Sequence, residues 1–171
     1  MSDPLQQLLD KRALDELIFR TMHARDACDW PAYRASFVED AAFDFREHGA
    51  APPQARQVIF GIDTIIALQK SVLEGFDTAQ HHVTNMVHSI DGDDAVTDCN
   101  LYAEHFLNND CGDRSVSLGG RYQVSSRRHV FGRIAAFRAR HLSLTTKHDD
   151  RRRRGGASAV SVGRIEGRGH R

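Results

Sequence analysis

Hydrophobic residues in the first half of the chain recur at helical spacing. Asp3-Pro4 is typical of a helix start, and the apolar positions that follow are Leu5, Leu8, Leu9, Leu14, Leu17, Ile18 and Met22. This pattern predicts a helix to about residue 28. Asp29-Trp30-Pro31 predicts a second, short helix, and residues 62–72 repeat the helical pattern in a third helix that ends near Gly75.

The second half of the chain changes to the alternating pattern of strands. Residues 41–46 and 58–60 predict two short strands, and longer ones follow at 79–90, 95–107, 116–124 and 134–142. Asp91-Gly92-Asp93-Asp94 is typical of a hairpin turn. Helices first and long strands last predict an α+β fold, with helices packed on one face of a curved antiparallel sheet.

Composition and charge indicate a single soluble domain with a distinct tail. The chain has 171 residues, 40% of them hydrophobic and 27% charged. Residues 147–171 carry eight Lys or Arg against three Asp or Glu. We therefore predict a folded domain over 1–144 and a basic, disordered tail over 145–171. We interpret the tail's arginines as solvated, with no nucleic-acid partner.

The expected location is the cytoplasm. No apolar run approaches the roughly 18 residues of a membrane span, and the N-terminus lacks the pattern of a secretory signal, so no membrane partner is predicted. The chain has three cysteines, an odd number without zinc-like spacing, which favours free thiols in a reducing compartment.

The stretch Gln80-His81-His82-Val83-Thr84-Asn85 places imidazoles in a predicted half-buried strand. Histidine suits proton transfer because its ordinary pKa lies near neutral pH, and a carboxylate partner fixes its tautomer. We predict His81 as a general base or acid, Asp26 as its partner, and His105 on the next strand as a second titratable group. The alternatives are a helix cap or surface charge for Asp26 and structural core histidines for the other two. Strand alternation places His82 opposite His81 and predicts that His88 shares the face of His82.

Other polar and aromatic residues are candidates for substrate binding: Trp30, Tyr33, Asn85, Tyr102, Tyr122 and Arg138. For the aromatic residues the alternative is ordinary core packing, for Asn85 a bond to local backbone, and for Arg138 a solvated strand face. The ten histidines show no zinc-like spacing, and the nucleotide-binding glycine motifs are absent. We therefore predict neither a metal nor a cofactor.

Three groups of motifs resemble the SnoaL-like and scytalone-dehydratase-like branch of the nuclear-transport-factor-2-like superfamily over roughly residues 8–142. They are Arg25-Asp26-Ala27-Cys28-Asp29-Trp30 with Phe37-Val38-Glu39-Asp40-Ala41, then Gly61-Ile62-Asp63-Thr64-Ile65 with the Gln80–Asn85 stretch, and Tyr102-Ala103-Glu104-His105 with Gly119-Gly120-Arg121-Tyr122. The resemblance implies a cone-shaped fold around a deep apolar pocket. It also implies that Asp26 and His81 match a catalytic Asp-His pair and that His105 matches a second catalytic histidine. One departure is Arg25, where scytalone dehydratase has a tyrosine.

The resemblance implies a cofactor-independent lyase that performs a dehydratase-like elimination on a small hydrophobic cyclic substrate. An isomerase or polyketide-cyclase-like enzyme in the same pocket is an alternative, because those reactions also begin with removal of a proton from carbon. A non-catalytic ligand-binding or subunit-assembly domain is a further alternative. A homo-oligomer, dimer or trimer, is expected because the outer faces of such sheets are often apolar.

Overall fold

Three helices and six strands make up the fold in a computed structural model that describes residues 3–47, 56–110 and 114–127, and the backbone of 133–146. In chain order the elements are α1 (Pro4–Asp26), α2 (Trp30–Ala35), β1 (Phe37–Glu47), β2 (Val58–Phe60), α3 (Ile62–Leu73), β3 (Thr78–Asp91), β4 (Asp94–Phe106), β5 (Ser115–Arg127) and β6 (Arg133–Thr146). The predicted tail over 145–171 falls almost entirely outside the described residues.

The six strands form one sheet in the order β2-β1-β6-β5-β4-β3. All neighbours run antiparallel except β1 and β6, which run parallel. Helix α1 packs on the edge strand β3, and α3 packs on β1, near the opposite edge of the sheet. The predicted fold class, an α+β cone of helices wrapped on a curved antiparallel sheet, is confirmed. Strand β6 extends four residues beyond the predicted end at 142.

The helix boundaries follow the capping residues that the sequence indicated. The Asp3 carboxylate accepts a hydrogen bond from the Leu5 backbone N–H at 3.1 Å, and Pro4 is the first helical residue of α1. The Asp29 carboxylate accepts one from the Ala32 N–H at 3.1 Å. Asp29 therefore caps α2, whereas Asp26, at the end of α1, faces the sheet and contacts His81.

A bulge in β3 changes which side chains face the helices. The pairing of β3 with β4 breaks between Thr84 and Val87, and Asn85 has a φ of 55°, in the left-handed region. His81 is buried before the bulge and His82 is exposed, as predicted. After the bulge the alternation is shifted by one residue, so the His88 side chain turns inward and is only 7% exposed. The prediction that His88 shares the face of His82 is wrong because one extra residue reverses the phase.

The core lies between the helices and the inner face of the sheet. Its buried apolar members come from every layer of the fold: Leu17, Ile18, Met22, Tyr33, Phe37, Phe43, Ile62, Ile65, Leu101, Leu118 and Val124 are among them. Strand β4 buries Cys99, Leu101, Ala103 and His105 on one face, as its alternation predicted. No helix in the described part of the chain is long and apolar enough to span a membrane.

Candidate active site

The carboxylate of Asp26 binds His81 through both of its oxygens. Oδ2 accepts a hydrogen bond from the His81 backbone N–H at 2.8 Å, and Oδ1 lies 2.5 Å from His81 Nδ1. The His81 side chain is fully buried, and that of Asp26 is 22% exposed. The last turn of α1 therefore fixes both the backbone and the ring of His81.

This hydrogen bond determines what the other ring nitrogen of His81 can do. A carboxylate at Nδ1 requires the proton to be on Nδ1, so neutral His81 has an unshared electron pair on Nε2. That Nε2 is buried and has no hydrogen-bond partner among the described residues. The ring is held by its own strand and by α1, and its Nε2 keeps an unshared electron pair.

His105 lies next to His81 and has a similar free nitrogen. The two rings meet edge to face with centroids 5.3 Å apart, and Phe76 packs on His105 with ring centroids 5.0 Å apart. His105 Nε2 is buried and without a hydrogen-bond partner in the described part of the chain. The structure therefore brings Asp26, His81 and His105, the three predicted catalytic residues, into one cluster.

Burial and charge keep both histidines neutral near pH 7. Burial lowers the pKa of His81, the positive charge of Arg25 lowers it further, and Asp26 opposes both, which leaves the pKa at about 4. Burial and Arg25 also lower the pKa of His105. Burial raises the pKa of Asp26, but the hydrogen bonds from His81 outweigh it and hold that pKa below its ordinary value. The site at rest is a carboxylate beside two neutral imidazoles.

Arg25 and two tyrosines complete the surroundings of the cluster. Arg25 is only 9% exposed, and its Nη1 donates to the Tyr122 hydroxyl at a long 3.4 Å. Tyr33 and Tyr122 are buried, and burial raises the pKa of both hydroxyls, so both stay protonated. The charge of Arg25 acts on the pKa values of both tyrosines and of both histidines. Arg25 thus lies at the centre of the buried polar groups.

An open cleft leads from the surface to the Asp-His pair. It lies between the second half of α1 and the start of β3, with a volume of about 530 Å³, and Asp26 and His81 both line it. Phe19 and Met22 contribute apolar surface from the helix.

Three of the predicted binding residues do not join the described site. Tyr102 lies on the opposite face of β4, is 45% exposed, and donates from its hydroxyl to the Glu104 carboxylate at 2.8 Å. Asn85 is exposed at the bulge. Trp30 packs edge to face on Tyr33, with ring centroids 6.0 Å apart, below the Lys70 ammonium. Tyr102 lies three positions before His105, so strand alternation places the two side chains on opposite faces of β4.

The backbone of Arg138 lies in β6, paired in register with Asp44 of β1 and Gln123 of β5, and its side chain is outside the described residues. Within the described ranges, no three His, Cys, Asp or Glu side chains come together as a group that could hold a metal ion.

The sequence reasoning missed Arg25 as a site residue. It was noted only as a departure from a family motif. A usable signal was present, because Arg25 follows Ile18 and Met22 at spacings of seven and three residues, on the buried face of α1. A charged residue on the apolar stripe of a helix is either paired in the core or part of a site.

The sequence matches the SnoaL-like domain over residues 6–136, which is most of the chain. The chain therefore belongs to the SnoaL-like domain family, and the resemblance to this branch of the nuclear-transport-factor-2-like superfamily is confirmed. The comparison with curated proteins finds no match.

Solved structures with the same fold include a proposed scytalone dehydratase from Novosphingobium aromaticivorans, at 18% identity and a TM-score of 0.70, covering 94% of this chain and 97% of that one. A proposed aromatic ring hydroxylase from the same species has 23% identity and a TM-score of 0.68, with 84% and 96% covered. Hexachlorocyclohexane dehydrochlorinase LinA-type3 from Novosphingobium barchaimii has 13% identity and a TM-score of 0.68, with 85% and 97% covered. At these identities the similarity establishes the fold alone.

Proposed function

We propose that this protein is a cofactor-independent lyase that removes a small group from a small hydrophobic cyclic molecule, in a dehydratase-like elimination. The observation that carries the proposal is the Asp26–His81 pair, whose ring Nε2 is buried, neutral and without a partner among the described residues. Two of the similar structures carry names of elimination enzymes, a scytalone dehydratase and a dehydrochlorinase, which supports this class.

In the proposed reaction His81 Nε2 takes a proton from a ring carbon of the substrate. Asp26 stabilises the imidazolium that forms, through the bond to Nδ1–H, and holds the ring in position through the backbone N–H. The new imidazolium then returns the proton to the departing oxygen, so that water leaves and neutral His81 is restored. His105 Nε2 accepts a hydrogen bond from the leaving hydroxyl and orients it.

The same proton removal starts an isomerisation or a cyclisation, so product analysis must separate these reactions. The test incubates the protein with β-hydroxycyclohexanone and with hexachlorocyclohexane and follows loss of water or of HCl by mass spectrometry. We expect wild-type protein to release at least one product and His81→Gln to release none above background. Equal turnover by wild type and His81→Gln above background would refute His81 as the base. Product release at the background level by both would favour a ligand-binding domain.

We also propose a homo-oligomer. Tyr102 and Val87, 45% and 64% exposed, place apolar surface on the outer face of β3 and β4, which supports burial against a second copy. Sedimentation velocity tests this, and a monomer at all concentrations would contradict it.

A further inference from the structure

A second cavity lies beside the middle of α1, away from the candidate active site. It has a volume of about 240 Å³ and is enclosed by α1, by the hairpin that joins β3 to β4, and by the end of β5. The helix contributes Leu14 and Leu17 to its wall, and the strands contribute Ile90 and Ala95. A concave wall that is largely apolar, with a few polar groups, is typical of a small-molecule site.

This cavity is separate from the cleft at the Asp-His pair. Ala95 lies in its wall, whereas Ala103, eight positions later on β4, pairs with His81. That distance is roughly 26 Å along a strand. Between these two positions the inner face of β4 is filled by three buried side chains, Thr97, Cys99 and Leu101. A molecule in the second cavity therefore does not reach the candidate active site.

Ser126 places an unpaired polar atom in the wall of this cavity. The residue is only 5% exposed, and its Oγ is buried without a hydrogen-bond partner among the described residues. It lies on β5 directly beside Ala95 of β4. A buried hydroxyl normally has a partner, because leaving it unpaired in an apolar environment is costly. A ligand with a hydrogen-bonding group would supply that partner.

The charged side chains around the cavity favour neither an anion nor a cation. Arg127 Nε donates to Asp94 Oδ1 at 2.8 Å. The Asp10 carboxylate accepts a hydrogen bond from the Gln6 amide at 2.9 Å. Both of these contacts lie at the exposed mouth, whereas the buried group without a described partner is the neutral hydroxyl of Ser126. The deep part of the cavity is therefore suited to an uncharged molecule.

We propose that this cavity is a second binding site, which takes a small uncharged molecule with an apolar body and one hydroxyl group. The ligand hydroxyl bonds Ser126 Oγ, and the apolar body packs on Leu14, Leu17 and Ile90. The site goes beyond the proposed elimination, because none of its residues takes part in that reaction. A ligand that binds here only in the folded chain raises the free energy of unfolding.

Titration with benzyl alcohol tests the proposal, and ethylbenzene is the probe of similar shape that lacks the hydroxyl. NMR of labelled leucine, isoleucine and methionine methyl groups follows both titrations, and Met22, which lines the cleft, reports binding there. We expect benzyl alcohol to shift the signals of Leu14, Leu17 and Ile90 and to leave Met22 unchanged. The ratio of the two dissociation constants should favour benzyl alcohol at least fivefold more in wild type than in Ser126→Ala.

Ser125→Ala is the matched control, because Ser125 precedes Ser126 on the same strand, faces the other side of the sheet and does not line the cavity. It should keep the wild-type ratio. The proposal is overturned if saturating benzyl alcohol leaves all three cavity methyl signals of wild type unmoved, or shifts Met22 alone. An equal ratio in wild type and Ser126→Ala would also overturn it. Tighter binding of benzylamine, a cation at neutral pH, would overturn the uncharged class in favour of a cation.

Discussion

Two Asp-His pairs join α1 to β3, and they differ in one nitrogen. Asp26 binds His81 Nδ1, and three helical turns earlier Asp15 Oδ1 lies 2.9 Å from His88 Nε2. The second ring nitrogen of His88 is bound to the Thr97 hydroxyl at 2.8 Å, whereas that of His81 is free. A carboxylate beside a histidine therefore does not identify a catalytic pair. What supports the proposed role of His81 is the buried nitrogen opposite the carboxylate, which has no partner among the described residues.

The helix and the strand explain why both pairs form. Asp26 lies eleven positions after Asp15, about three turns of helix, so both carboxylates lie on the face of α1 that meets β3. Because α1 runs antiparallel to β3, the later aspartate meets the earlier histidine. The bulge at Asn85 then brings His88 to the inner face together with His81. We interpret Asp15, His88 and Thr97 as a structural clamp.

The largest difference between the pairs should appear in turnover. His81→Gln is expected to lower kcat/KM on the order of 10³-fold, because the base is lost. His88→Leu should change kcat/KM less than about threefold per folded molecule, because the ligand does not reach a ring with both nitrogens occupied. A loss in His88→Leu as large as in His81→Gln would remove the distinction between the pairs.

Asp26→Asn should lower kcat/KM on the order of 10²-fold. The Asn oxygen can still accept from the His81 backbone N–H, but its NH₂ then faces Nδ1 and forces the proton onto Nε2, which loses its electron pair. NMR should also show a His81 pKa below that of wild type, since Asp26 raises it. Asp15→Asn is the control and should leave both quantities unchanged.

His88→Leu should reduce the free energy of unfolding by about 2 kcal/mol, because two hydrogen bonds are lost and the fully buried Thr97 hydroxyl is left unpaired. Urea titration monitored by circular dichroism measures this. Thr97→Val in the same background should recover part of the loss. An unchanged midpoint in His88→Leu would contradict the clamp.

Acid should destabilise the protein through the His81 region. The pKa of His81 is about 4 in the folded chain, and the unfolded value is about 6.5, so between these pH values the unfolded chain binds more protons. The free energy of unfolding should therefore fall as pH is lowered through this window, by at most about 1.4 kcal/mol per pH unit from this residue. His105 contributes with the same sign.

Urea titrations at about pH 7 and about pH 5 test this sign. We expect wild type to be less stable at the lower pH, because His81 is surrounded by the groups that lower its pKa. Stability that is equal or higher at the lower pH would contradict the lowered pKa of His81.

The smallest effect is expected at the bulge. Asn85 has a positive φ, which a β-branched residue adopts only with strain, so Asn85→Val should cost about 1 kcal/mol. Asn85→Gly should stay within about 0.5 kcal/mol of wild type, because glycine adopts this conformation freely. Urea midpoints of the two variants measure the difference, and a Val variant as stable as the Gly variant would argue against the left-handed bulge.

The sequence by itself determined the elements, their caps and the fold class, because hydrophobic periodicity and capping are local. It also determined that His81 and His105 face the core, since each lies on a strand whose alternation is regular up to that point. The side on which His88 lies was decided by the structure, through the one extra residue in the bulge at Asn85. Tyr102 lies on β4, where regular alternation already places it opposite His105. The surroundings of Arg25 were decided only in three dimensions. Tyr122, His81 and His105 lie on strands that are distant from α1 in the sequence, and only folding brings them close to its charge. Asp26 and His81 are 55 positions apart in the sequence, and the packing of α1 on β3, not any local pattern, brings them together.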